Sequence, residues 1–322
     1  MSFMKQKGFS LFEIFIALIL IAMLTSVTSP VLSGALRWYG KVETDRLLKD
    51  LAQSFTIAYK ENAIQIETNT GTNVTLPGGT IATSTRNAAG QCNSTTTTLA
   101  PLGRYLSTAA TGAYLDGNAL PLCIFITPQQ TITINGVVLS YHTVAIVSAG
   151  NDNFVEAGTA LSATGVLTTA GDDRGIVIDG KSLIVDRYQD TKTKMDRIVQ
   201  ALQAYFTTRY NGSETRDLSV DYFTNQNRAG NSSTDFDSSG SMPTTGGALV
   251  SMTSIGADTL LGLSAQDVTD GFGQVIQIDN SSDAVRNPEN TNASLTTPPY
   301  TARISTTLPG IGTLIQTAVG SY

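Results

Sequence analysis

Hydrophobic positions along the chain fall into two long helical patterns, each followed by strand-like and polar stretches. From Phe9 to Leu32 the run is largely apolar, and Glu13 is its only charge. About 20 helical residues cross a hydrocarbon core, so this run predicts a transmembrane helix. No polar linker follows it. The pattern continues through "RWYGKVETDRLLKDLAQSFTIAYKENA", where Leu47, Leu48, Leu51, Phe55, Ala58 and Tyr59 form one amphipathic face. One long helix is therefore expected to begin in a membrane and end half-buried on a globular domain. Pro30 interrupts it, with Gly34 and Gly40 nearby. An internal proline costs roughly 3 kcal/mol, so a kink or locally melted stretch is expected there.

Beyond Asn62 the chain turns Thr-, Asn- and Gly-rich through Thr98, which reads as loops and short edge strands. Apolar density returns at "LPLCIFITPQQTITINGVVLSYHTVAIVSAG", where Asn135-Gly136 between apolar-rich runs signals a hairpin. Strands are expected near Leu122–Thr127, Gln130–Ile134, Val137–Ser140 and Thr143–Val147. A second helix is predicted in "DTKTKMDRIVQALQAYFTTRY", where Met195, Ile198, Val199, Leu202, Tyr205, Phe206 and Tyr210 line one face. It echoes the first helix in apolar spacing and aromatic end. A polar segment (211–246) and then "VTDGFGQVIQID" follow it.

Composition narrows the function classes. The 322 residues carry a net charge of −6, and only 14% are charged. That balance, with no basic stripe, argues against a nucleic-acid binder. Two cysteines and one histidine make a zinc site improbable. If the body lies outside the cytoplasm, Cys92 and Cys123 read most simply as one disulfide closing a loop of about 30 residues, a contribution of roughly 3–4 kcal/mol in the chain-entropy model. The alternative is two buried free thiols. Lys5 and Lys7 precede the apolar run with no acid among them, which places the N-terminus on the cytoplasmic side.

The junction "KGFSLFE" resembles the type III leader of type IV pilins and type II secretion pseudopilins. The resemblance implies cleavage between Gly8 and Phe9 by a prepilin peptidase, and methylation of Phe9 as the new N-terminus. It places Glu13 fifth in the mature chain and puts Pro30 where many such subunits carry a kinking proline. It also implies that Glu13 pairs with the Phe9 amine of a neighbouring subunit. A carboxylate in hydrocarbon costs at least about 2.5 kcal/mol, so it persists where a cation neutralises it. The alternative is a Glu13 at the headgroup boundary that needs no partner.

By the same resemblance the fold is expected to be α+β, a long N-terminal spine helix with a small antiparallel sheet head, in two tandem pilin-like halves. The divisions are a leader (1–8), a transmembrane spine (9–32), a first pilin-like domain (33–182) and a second (183–322). Asp270, Phe272, Gly273 and Gln274 are similar to a turn of pilin-like domains, and Asp116-Gly117-Asn118 is a weaker counterpart. The loop "SAGNDNFVEAGTALSATGVLTTAGDDRG" resembles the calcium-binding loop of major pseudopilins, which makes Ser148, Asp152, Asp172 and Asp173 candidate Ca2+ ligands. It departs from that pattern by a longer insertion between Asp152 and Asp172, and a solvated acidic turn is the alternative.

No phosphate-binding Gly-x-x-x-x-Gly-Lys-Ser/Thr loop is present. His142 lies among the strands with no assignable nucleophile or orienting acid and reads as structural. No catalytic residues are expected. The function expected is a structural subunit, of minor-pilin size, in a type IV pilus or secretion-like pseudopilus. It would sit in the inner membrane with a periplasmic body and then pass into a surface filament. Other pilin subunits, the prepilin peptidase and an inner-membrane assembly platform would be its partners. The alternative is a membrane-anchored adhesin presented on a pilus.

Overall fold

The computed structural model describes residues 11–88, 90–92, 99–106, 115–214, 216, 218, 220–223, 226–227, 242, 248–280, 300–310, 312–320 and 322. Side chains between 11 and 33 are described only at 15, 16, 18 and 19. Gly8 and Phe9 lie outside the described residues, as do the side chains of Glu13 and Pro30.

The first helix, α1, covers Leu11–Ile66. Its backbone stays helical through Pro30 and both glycines, so no locally melted stretch is found there. The departure is at Asn62 (φ −127°, ψ 22°). There the side-chain amide donates to the Ala58 carbonyl and to the Tyr105 hydroxyl, both at 2.8 Å. A side chain that bonds nearby backbone competes with the helical ladder. Along the first two-thirds of α1, Phe15, Ile16, Leu18, Ile19, Leu36, Trp38, Tyr39 and Val42 are exposed. From Leu48 onward the predicted face is buried, with Leu51, Phe55, Ala58 and Tyr59 fully so. Among the described residues no helix is long and apolar enough to cross a membrane, which does not fit the expected inner-membrane anchor.

The four strands read around Asn135-Gly136 are present: β1 (Leu122–Ile126), β2 (Gln130–Ile134), β3 (Val137–Tyr141) and β4 (Thr143–Ser148). β2 and β3 form a hairpin, with Asn135 at φ 51° in the turn. β1 and β4 pair antiparallel, and β4 pairs on its other side with β5 (Arg174–Asp179), a strand not read from the sequence. Helix α2 (Gly180–Gly212) follows directly, its N-cap Asp179 accepting from the Lys181 N–H. It buries Met195, Ile198, Leu202 and Phe206, as its spacing predicts. A second antiparallel sheet is ordered β6 (Val250–Ser251), β7 (Gln277–Asp279), β8 (Thr301–Thr307), β9 (Thr313–Val319).

The expected architecture, a spine helix with a small antiparallel sheet head in two tandem pilin-like halves, is corrected by this arrangement. Among the described residues the strands divide into several separate sheets of two to four strands. One continuous hydrophobic cluster holds Leu51 and Phe55 of α1, Ile198 and Phe206 of α2 and Ile304 of β8 together. Two independent halves would each need a core of their own. Here the apolar faces of both helices are buried in the same one.

Successive residues of a strand point to opposite faces. In β1, Leu122, Ile124 and Ile126 enter the main core, while Cys123 and Phe125 point away. In β4, Val144 and Ile146 enter it, while Ala145 and Val147 point away. The outward side chains are covered by a satellite cluster that includes Ala149, Val155, Cys92, Leu161 and Leu167. The acidic loop therefore forms the roof of this sheet's second face.

One small device occurs twice. Asp116 Oδ1 accepts the N–H groups of Asn118 and Leu120, and its Oδ2 accepts the Ser148 hydroxyl. Asp270 Oδ1 accepts those of Phe272 and Gln274, and its Oδ2 accepts the Thr306 hydroxyl. The glycine after each aspartate donates its N–H to a helix threonine at 2.9 Å, Gly117 to Thr44 on α1 and Gly271 to Thr191 on α2. A Cβ on Gly117 would collide with the Gly40 carbonyl oxygen, and one on Gly271 with that of Arg187. Only glycine lets the turn approach the helix so closely.

Candidate functional site

The roof over β1 and β4 is built from the segment 149–173. Asp152 Oδ1 accepts the Phe154 N–H at 2.9 Å, and Asp172 Oδ2 accepts that of Asn151 at 2.7 Å. The first closes a local turn, and the second folds the two ends of the loop onto each other. Asp152, Glu156 and Asp172 each then offer a carboxylate oxygen within 4.8 Å of the other two.

The structure thus brings together two of the four candidate ligands and adds Glu156. Ser148 is elsewhere engaged: its hydroxyl donates to Asp116 and accepts the Gly150 N–H at 3.2 Å. Asp173 lies behind the cluster, buried, where its Oδ2 accepts the Glu156 N–H at 3.1 Å and the Thr159 hydroxyl. Glu156 was missed because the matched pattern marks only the ends of the loop. A third acid four residues after Asp152 was the available signal.

The site carries unspent acceptor capacity. Buried Glu156 Oε2 and Asp173 Oδ1 face each other, and apart from a proton on Asp173 that joins them they have no hydrogen-bond partner among the described residues. Burial, and then the adjoining Glu156 carboxyl, push Asp173 up to about 7. Facing carboxyl groups cannot both ionise cheaply in a desolvated place. A hard divalent cation relieves that repulsion, and calcium takes six to eight oxygen ligands in flexible loops. The donor set fits Ca2+: Asp152, Glu156 and Asp172 would hold it.

Beside the loop lies a cleft of about 460 Å³ whose lining includes Arg37, Trp38, Lys41, Asn118, Asp172 and Arg174. Arg174 Nη1 donates to both oxygens of Asp45, at 2.6 and 2.8 Å, and ties β5 to α1.

A second polar cluster is wholly internal. His142 Nδ1 lies 2.9 Å from Glu67 Oε2, and its Nε2 lies 3.0 Å from the Gly71 carbonyl oxygen. Glu67 Oε1 accepts the His142 backbone N–H at 3.0 Å and the Tyr59 hydroxyl. Burial, then the charge of Glu67, hold the Tyr59 phenol well above its usual range. His142 does have an orienting acid, then, but it stands 75 residues away in sequence at the end of α1. The cluster is buried, and its partners link the end of α1 to the strands.

The disulfide joins Cys92 to Cys123, with Cα atoms 5.7 Å apart. It fastens a short turn, closed by the Arg86–Cys92 bridge, to the outer face of β1. Comparison of the chain with family models, with curated proteins and with solved structures finds no match in any of the three.

Proposed function

We propose that the chain is a structural subunit of a filament of the type IV pilus or type II secretion pseudopilus kind. The observation that carries this reading is the register of Gly8, Phe9, Glu13 and Pro30 at the start of one long helix. The exposed apolar side chains between Phe15 and Val42 support it, since they lack a partner in the single chain among the described residues. Packing of such helices against copies of themselves would cover them. In this reading the apolar run 9–32 holds the subunit in the inner membrane before assembly, with the body in the periplasm. That localisation rests on the sequence of the run and is tested by membrane fractionation. The acidic loop serves as a calcium-stabilised element of the exposed body.

Two measurements test the reading. Mass analysis of the mature chain is expected to find Phe9 as a methylated N-terminus; a start at Met1 refutes it. Glu13→Gln keeps size and loses charge. The variant should still be inserted and processed, because removing a carboxylate makes insertion easier. Its incorporation into filaments should fall more than a hundredfold, since a buried amine left without its partner costs about 3–5 kcal/mol. An unchanged ratio of filament to membrane subunit rules out the Phe9–Glu13 pairing.

A further inference from the structure

The disulfide and the acidic loop are one mechanical unit. The turn that Cys92 closes touches the loop at three points. The Val155 N–H donates to the Gly90 carbonyl at 3.2 Å. The Phe154 ring lies against Gly90, where an added Cβ would sit 2.6 Å from ring atom Cε2. Arg86 Nη2 donates to the Thr159 carbonyl at 3.2 Å. These contacts bracket Glu156, the central carboxylate of the acidic cluster. The turn is in turn held on β1: by the Cys92–Cys123 bond, by Arg86, whose Cζ stands 5.0 Å from the Phe125 ring centroid, and by the Ser84 N–H, 2.7 Å from the Ile124 carbonyl. Cys92, Cys123, Phe125 and Val155 share the small satellite core. A cluster of that size has few other contacts to keep it closed.

We propose that the Cys92–Cys123 disulfide is a redox-operated clamp that shapes the acidic loop, and that opening it loosens the loop and lowers its affinity for a divalent cation. The second half rests on the calcium reading of Asp152, Glu156 and Asp172. The chemistry is thiol–disulfide exchange with a dithiol. One thiolate of the dithiol attacks a sulfur of the bridge and forms a mixed disulfide, releasing the other cysteine. Its second thiolate then closes on the first sulfur. Cys92 and Cys123 leave as thiols with two electrons and two protons, and the dithiol leaves as a cyclic disulfide. In the reverse direction the clamp closes in an oxidising compartment, so a cation-ready loop forms only there.

The test compares the oxidised full chain with the same chain after dithiol treatment and with the Cys92→Ser, Cys123→Ser double variant. Amide hydrogen exchange is followed in chelator, and calcium binding by titration calorimetry. Opening the bridge is expected to speed exchange at the Val155, Glu156 and Thr159 amides at least tenfold, leave α2 amides unchanged, and weaken calcium binding at least tenfold. Exchange within twofold of the oxidised chain overturns the clamp, as does measurable calcium binding of equal affinity with and without the bridge. An oxidised chain that binds no calcium removes the cation half, and the exchange data decide the clamp by themselves. Should the double variant fail to fold, Gly90→Val provides the second arm. It keeps both cysteines but strains the turn, where Gly90 sits at φ 78°, and displaces Phe154, so it should reproduce the faster exchange at the same three amides; normal protection there overturns the proposal.

Discussion

Replacing Asp173 by Asn isolates the electrostatic strain in the acidic loop. The asparagine oxygen can take the place of Oδ2 and keep both acceptor bonds, from the Glu156 N–H and the Thr159 hydroxyl. Its amide nitrogen then stands where the orphaned Oδ1 is buried, and donates to the facing Glu156 carboxylate. An unsatisfied buried acceptor costs about 1–3 kcal/mol, and a hydrogen bond to a charged group contributes a similar amount. The variant should therefore be more stable than wild type by about 1–3 kcal/mol in chelator at pH 8. The sign depends on pH. Asp173 is raised to about 7 in the folded chain, so its unfolded form releases the proton more readily. For a raised carboxylate, wild-type stability is fully present below the ordinary carboxylate range and declines as pH rises through about 7. The advantage of Asp173→Asn should thus vanish near pH 4 and grow toward pH 8. Thermal unfolding of the full chain in chelator across that range reads it, at roughly 2–4 °C per kcal/mol for domains of 150–250 residues. A variant less stable than wild type at pH 8, or a difference that does not change with pH, would refute the reasoning.

Two further substitutions probe the interior of the fold, and one addition probes the loop itself. Glu67→Ala leaves the Tyr59 hydroxyl and His142 Nδ1 without their carboxylate partner, while the His142 backbone N–H keeps the Tyr59 oxygen; a loss of about 3–5 kcal/mol in denaturant unfolding is expected. Phe206→Ala empties the centre of an aromatic group in which Phe223 and Tyr322 lie 4.7 and 5.4 Å from its ring. About 3–5 kcal/mol should be lost, read by the same assay. Calcium should raise the melting temperature of wild type over that in chelator, and the difference should disappear in Asp152→Ala; no difference in wild type ends the calcium reading.

Local patterns in the sequence were enough to locate several elements. The spacing of Met195, Ile198, Leu202 and Phe206 marked the buried face of α2, because a period of 3.6 residues is a property of the segment alone. Asn135-Gly136 marked the β2–β3 turn for a similar reason, since few residue pairs accept its backbone angles. The cysteine pair suggested a disulfide by composition and compartment, and the structure contains it. What stayed hidden depended on partners far away in sequence. β5 is recognisable chiefly as the strand that completes the sheet beside β4. Glu67 becomes the acid of His142 only when the end of α1 reaches the strands. Glu156 joins Asp152 and Asp172 only because the loop roofs the second face of the sheet. The merging of both helices into one core was equally invisible, because an amphipathic face records that a residue will be buried and not what will cover it.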